Sequence, residues 1–224
     1  MESQTVKEDM DSWQNAMFLY RSAMKEVSTR LEILNDEFQN IHNYNPIEYI
    51  SSRLKTAESI VKKLQRNGHE TTMENMIKYV NDIAGVRIVC SFTSDIYRLA
   101  DMISGLEDFH VFAVKDYMKH PKKSGYRSYH MLVLVPVYTT GGVVETKVEI
   151  QIRTIAMDFW ASLEHKIYYK FEGDAPAYIS HDLQECAEIV ADLDARMLSL
   201  NEAILKEKGK EEKEKEKKKK RTEE

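Results

Sequence analysis

Within residues 143–153, VVETKVEIQIR, apolar and polar side chains alternate, and few chain arrangements can use such a segment. In extended backbone, successive side chains point to opposite faces. Val144, Thr146, Val148, Ile150 and Ile152 then share one face, and Glu145, Lys147, Glu149, Gln151 and Arg153 share the other. The first face needs a core to cover it. The second, on an arbitrary strand, is a solvated exterior. Here glutamate and glutamine are poor choices for an exposed strand position, and a sheet this apolar needs helices on at least one face. The polar face therefore reads as the lining of a site, provided that another polar cluster converges on it.

Around this strand the chain reads as alternating elements. Trp13, Met17, Tyr20, Met24, Val27, Leu31, Leu34, Phe38 and Ile41 step by four and three, which predicts a helix over 13–41 with a heptad seam. Asn45-Pro46 is read as a break, with Pro46 in the first turn of a second helix running to Arg66 and closed by Asn67-Gly68. A short helix is expected over 72–80, then a turn at Gly85 into a buried strand at 86–92. Ser94 is read as the cap of a helix reaching Gly105, followed by a strand near 109–115 and a polar, basic loop over 116–128. Strands at 129–137 and 143–153 form a hairpin around Thr139-Thr140-Gly141-Gly142. Thr154 is read as the cap of a helix to about Tyr169. A last helix over 181–205 has a seam at Leu183, Cys186, Val190, Leu193, Met197, Leu200 and Ile204.

The fold class is α/β of the mixed α+β kind: a single domain with a mixed sheet of four to five strands flanked by helices. It divides into an N-terminal helix (1–44), a core (45–170), a C-terminal helix (171–205) and a charged tail (206–224) expected to be disordered. The two terminal seams are covered either by the sheet and each other or by an oligomer, and four heptads favour the oligomer.

Residues 206–224 hold 10 of the 32 basic and 7 of the 37 acidic residues, leaving 22 against 30 in the body, a net of −8. An acidic body that binds a polyanion must concentrate its positive charge locally. No apolar run is long enough to span a bilayer and no leader pattern opens the chain, so a cytoplasmic protein is expected. Cys90 and Cys186 both sit in apolar patterns and read as buried small hydrophobes.

Positive charge gathers in two places: Arg53, Lys55, Lys62, Lys63 and Arg66, and Lys115, Lys119, Lys122, Lys123 and Arg127. The second cluster carries SGYRSYH, where an aromatic beside a glycine among cations suits stacking on a nucleobase. The segment Asn81-Asp82-Ile83-Ala84-Gly85-Val86-Arg87 puts a carboxylate at the end of a buried strand, where ligand clefts form. Asp82 alone is equally well a turn aspartate. Together with Glu149 it could share a divalent cation, with Arg87 reaching the same phosphates. There is no Walker loop, dinucleotide glycine fingerprint, metal-spaced Cys/His set or nucleophile elbow, so phosphate chemistry must rest on side-chain cations and a metal.

Taken together, NDIAGVRIVCSF, KKSGYRSYHMLVLVPV and VEIQIRTIAMDFWASLEHKIYYK resemble the synthetase domain of the RelA/SpoT superfamily. The short length and the terminal helices resemble its small alarmone synthetases of the RelQ type. The resemblance implies a nucleotidyltransferase-like synthetase fold and GTP pyrophosphokinase activity in stringent-response signalling. The β,γ-pyrophosphate of ATP passes to the ribose 3′-OH of GTP or GDP, giving (p)ppGpp and AMP. It implies Mg2+ held by Asp82 and Glu149, with Glu149 also the base for the 3′-OH. It places Arg53, Lys55, Ser59, Lys63, Arg66 and Arg87 on the ATP side. Lys115, Lys122, Tyr126, His130, Gln151 and Asp158 fall on the acceptor side, with Tyr126 stacking on guanine. Lys115 stands where relatives often carry arginine, and Asp158 where they often carry asparagine. Among partners the resemblance implies a homotetramer, (p)ppGpp as an allosteric ligand, and single-stranded RNA; no membrane is implied. Two competing readings are a nucleotidyltransferase, which would want a Gly-Ser turn and a paired Asp-x-Asp that this chain lacks, and an RNA-binding adaptor using the basic loop and lysine-rich tail.

Overall fold

The computed structural model describes residues 2–170 and 176–222, so residues 171–175 of the expected C-terminal helix segment lie outside the described residues. Helix α1 (Glu2–Asn40) leads into strand β1 (Ile47–Leu54), helices α2 (Ala57–Arg66) and α3 (Met73–Tyr79), and strand β2 (Ala84–Cys90). Helix α4 (Thr93–Ser104), strand β3 (His110–Asp116) and the hairpin β4 (Tyr129–Thr139) and β5 (Gly142–Thr154) follow, then α5 (Ile155–Lys170) and α6 (Ala177–Thr222). The result is a mixed α/β fold with one five-stranded sheet of order β1-β2-β5-β4-β3. Strands β2 and β5 run parallel and every other neighbouring pair is antiparallel.

One face of the sheet carries the main core. Val148, Ile150 and Ile152 of β5 join Val86 and Ile88 of β2 and Met131 and Val133 of β4 beneath α1 and α4. The α1 seam serves this face: Tyr20, Val27, Leu31 and Phe38 are buried, with Trp13, Met17, Met24 and Leu34 packed beside them, while Ile41 is exposed. On the opposite face, α5 and α6 build a smaller cluster from Trp160, Ala161, Leu183 and Ala187, with Tyr126 against it. Trp160 Nε1 donates to the Leu183 carbonyl at 2.9 Å, locking the two helices together.

Several expectations are corrected. Residues 47–54 form an edge strand, not the first half of a helix, and α2 starts only at Ala57, capped by Thr56. A bulge between Ile47 and Tyr49 explains the misreading: it inverts the alternation, so Ile47 and Ile50 face the same core although three residues apart. The apolar spacing 47, 50, 54 thus imitates a helix. Gly85 lies inside β2, paired with Arg53 and Glu149, rather than in a turn. Helix α4 begins one residue before Ser94, and Asp95 rather than Ser94 satisfies its start, accepting from the Phe92 amide at 3.1 Å. Cys90 is buried, but Cys186 is exposed, because α6 turns Leu183 and Ala187 to the body instead. The tail expected to be disordered continues α6 as helix to Thr222. Lysine and glutamate are good helix formers, and pairs such as Lys210–Glu207 at 2.7 Å support the turn they share.

Candidate active site

The polar face of β5 becomes a site because its neighbours place matching residues in register. Ser51, Arg87, Gln151, His130 and Lys115 stand side by side across all five strands. One step along, Arg53, Gly85 and Glu149 are aligned. Gly85 contributes no side chain, so the floor between Arg53 and Glu149 stays open. A cleft of about 330 Å³ results, lined by Ser51, Ser52, Arg53, Asp82, Gly85, Val86, Arg87, Glu149 and Gln151.

Two carboxylates from distant parts of the chain thus line one cavity. Asp82 sits just ahead of β2, its Oδ1 taking the Lys63 ammonium at 2.8 Å and its Oδ2 that of Lys55 at 3.0 Å. Burial works to raise the Asp82 carboxyl, but the two lysines outweigh it and hold it below the ordinary aspartate value. Glu149 is buried, accepting from Gln151 Nε2 at 2.7 Å on Oε2 and facing His130 Nδ1 at 3.2 Å on Oε1. Burial again pushes upward, and His130 and Gln151 more than offset it; the charge of Asp82 pushes the other way. Both groups are ionised at neutral pH. Burial lowers the His130 ring below the usual histidine value in spite of Glu149, so the imidazole is neutral. A carboxylate can only accept, so Nδ1 carries the proton toward Glu149, and Nε2 accepts from the Tyr126 hydroxyl 2.8 Å away.

Tyr126 marks the far side of the cleft. Its loop passes under α6 at Gly125, whose φ of 85° favours glycine and whose Cβ, if present, would lie 2.5 Å from that of Ala187. Lys122 Nζ stands 4.6 Å from the Tyr126 ring centroid and 5.0 Å from that of Tyr117. Arg153 Nη2 donates to the Tyr126 hydroxyl at 2.5 Å and to Gln151 Oε1 at 3.0 Å.

Of the residues expected from the sequence, Arg53, Asp82, Arg87, Glu149 and Gln151 line the cleft, Lys55 and Lys63 reach it through Asp82, and Lys122, Tyr126 and His130 border it. Ser59 is exposed and bonds to the Thr56 hydroxyl at the start of α2, and Arg66 is exposed at that helix's end; neither lines the cleft. Lys115 is exposed on β3 beside His130. Asp158 is buried, its carboxylate engaged by Arg87, Arg153 and Tyr49. Arg153 and Tyr49 were not singled out from the sequence. Arg153 shares the polar face of β5 with Glu149 and Gln151, and that alternation was the signal that could have found it. Tyr49 was hidden by the helical reading of its strand.

For a cation, the donor set fits. Asp82 and Glu149 are hard oxygen donors, both ionised, and the two oxygens of Asp82 already attract cationic nitrogens. Anionic carboxylates within a rim of arginine and lysine, with a tyrosine to one side, suit an enzyme acting on phosphorylated nucleotides. Residues 52–174 match the region found in RelA/SpoT proteins, and the chain belongs to that family. It is 47% identical over 199 residues to the GTP pyrophosphokinase YwaC of Bacillus subtilis, covering 89% of this chain and 95% of that one. The small alarmone synthetase 2 structure from Bacillus subtilis superposes with a TM-score of 0.78 at 46% identity, over 85% of this chain and 98% of that one. Small alarmone synthetase 1 from the same organism, bound to its product pppGpp, gives 0.81 at 36% identity, over 86% and 97%.

Proposed function

We propose that the chain is a GTP pyrophosphokinase that makes (p)ppGpp in the cytoplasm, transferring the β,γ-pyrophosphate of ATP to the ribose 3′-OH of GTP or GDP. Family membership and the likeness to enzymes of that name over nearly the whole chain support the activity. The observation that carries the mechanism is the convergence of Asp82 and Glu149 on one cation-walled cleft.

The ribose 3′-oxygen bonds to the β-phosphorus of ATP while the bond from that phosphorus to the α,β-bridging oxygen breaks, and AMP leaves with the electron pair. A 3′-hydroxyl is a poor nucleophile at pH 7. Glu149, held in place by Gln151 and His130, accepts its proton as attack proceeds. Asp82 and Glu149 would hold Mg2+, which when bound offsets charge on the phosphate oxygens. Arg53 and Arg87 face the donor polyphosphate, and Lys55 and Lys63 can exchange Asp82 for phosphate oxygens as ATP enters. Tyr126 stacks on guanine with Lys122 beside it, and fixing two nucleotides side by side lowers the barrier through proximity.

Incubation with ATP, GTP and magnesium, followed by chromatography, tests the reading: AMP and a 3′-pyrophosphorylated guanosine nucleotide are expected. Release of inorganic pyrophosphate instead would mean nucleotidyl transfer. Glu149→Gln should keep the fold and lower turnover at least a hundredfold, the scale of a lost general base; near-normal turnover would remove Glu149 from the chemistry.

A further inference from the structure

Asp158 lies in the first turn of α5, whose start is fixed by the Thr154 hydroxyl accepting from the Met157 amide at 3.1 Å. The carboxylate is therefore placed by the helix that carries it, at the end where negative charge is favoured. Its Oδ1 lies 3.0 Å from Arg87 Nη1 and 3.0 Å from Arg153 Nη1. Its Oδ2 accepts from the Tyr49 hydroxyl at 2.7 Å, so the group cannot turn away from the arginines. Arg87 lines the cleft on the donor side, and its buried Nε has no hydrogen-bond partner. Arg153 reaches the other way, to the Tyr126 hydroxyl and to Gln151, which in turn holds Glu149.

We propose that Asp158 is a positioning residue that fixes Arg87 and Arg153 with one carboxylate, so that a change there weakens the ATP pocket and the acceptor pocket together. Two guanidinium groups converging on a single oxygen repel each other unless the charge between them is negative. Remove that charge and both swing: Arg87 loses its aim into the cleft, and Arg153 loses its hold on the tyrosine that receives the base. Tyr49 is the brace of this anchor. The inference rests on the reading of the cleft as a two-nucleotide site.

Asp158→Asn keeps the shape and one accepting oxygen but removes the charge. Titration calorimetry of the full chain with α,β-methylene-ATP, and separately with GDP, should show both dissociation constants raised by roughly tenfold, as expected for a lost charge-assisted contact. Steady-state KM for ATP and for GTP should rise in parallel. Tyr49→Phe removes only a hydroxyl from a half-exposed ring and should raise both by roughly two- to threefold. An effect on one nucleotide alone, or a loss of thermal stability with both constants unchanged, would overturn the proposal, and Tyr49→Phe decides it even if Asp158→Asn folds poorly. Because calorimetry needs no turnover, a wild-type protein that binds both nucleotides yet makes no pyrophosphorylated product would sink the assigned reaction and leave the anchor standing.

Discussion

Gly85 is the residue on which the openness of the cleft depends. It stands in register between Arg53 and Glu149, and a Cβ there would meet the Arg53 and Glu149 carbonyl oxygens at 3.7 and 4.0 Å, ordinary contact distances. The fold can therefore accept Gly85→Ala, while the new methyl would rise from the cleft floor onto the path proposed for the donor polyphosphate. The expected result is a melting temperature within about 2 °C of wild type, since a substitution of this kind changes stability by well under 1 kcal/mol. The same variant should show at least tenfold lower kcat/KM for ATP. An unchanged kcat/KM would mean that the donor phosphates do not pass over Gly85. Its neighbours differ in kind: Asp82 and Glu149 keep their charge through named partners against burial, whereas His130 owes its neutral ring to burial, against the pull of Glu149.

At the scale of elements, α6 meets the active-site strand through one buried carboxylate. Asp194 Oδ2 accepts from the Thr154 hydroxyl at 2.7 Å, at the point where β5 ends and α5 begins. Burial raises the Asp194 carboxyl above its ordinary value, and the Thr154 bond only partly offsets this. A raised folded value means that, above the unfolded carboxyl range near pH 3.9, the native state binds the proton more tightly than the unfolded chain. This contribution to stability is whole below that range and is lost as pH rises through the folded value. Asp194→Asn keeps an acceptor for Thr154 and removes the penalty. It should melt higher than wild type at pH 7.5, by about 2–4 °C for each kcal/mol recovered, and the gain should vanish at pH 4; a gain independent of pH would contradict the burial argument. Elements of this kind differed in how far the sequence disclosed them. The alternation of β5 is local, so its two faces, and with them Glu149 and Gln151, were readable directly. Strand β1 was not, because its bulge gives Ile47, Ile50 and Leu54 a helical spacing, and only pairing with β2, thirty or more residues away, makes it extended. Tyr49 was lost with it, and nothing local in the sequence shows that two arginines from β2 and β5 converge on Asp158.

For the whole molecule, the two terminal helices have unequal fates. The seam of α1 is consumed by the sheet, which the heptad spacing alone could not decide. That of α6 leaves the body after Leu183 and Ala187, and beyond Asp194 it has little to cover it. Leu193 is 50% exposed, Met197 48%, Leu200 59% and Ile204 55%, all along one stripe stepping by four, three and four. Four large apolar side chains in heptad register on a helix that projects from the domain are what a second helix would bury. A large apolar side chain taken from full exposure to full burial contributes about 1.5–3 kcal/mol, and these four are about half-exposed, so each has roughly half of that left to gain by pairing with a second helix. We expect the purified protein to sediment as an oligomer, with a tetramer near 104 kDa, four times the 26.1 kDa chain. Replacing Met197 and Leu200 with glutamate should yield a monomer that keeps its near-UV circular dichroism, because neither residue belongs to a core cluster. Light scattering at a single concentration distinguishes the outcomes: a wild-type monomer would refute assembly altogether, whereas an oligomer undisturbed by the double substitution would move the interface off α6 and onto another surface, such as the side of α1 where Phe18 and Ile33 are exposed.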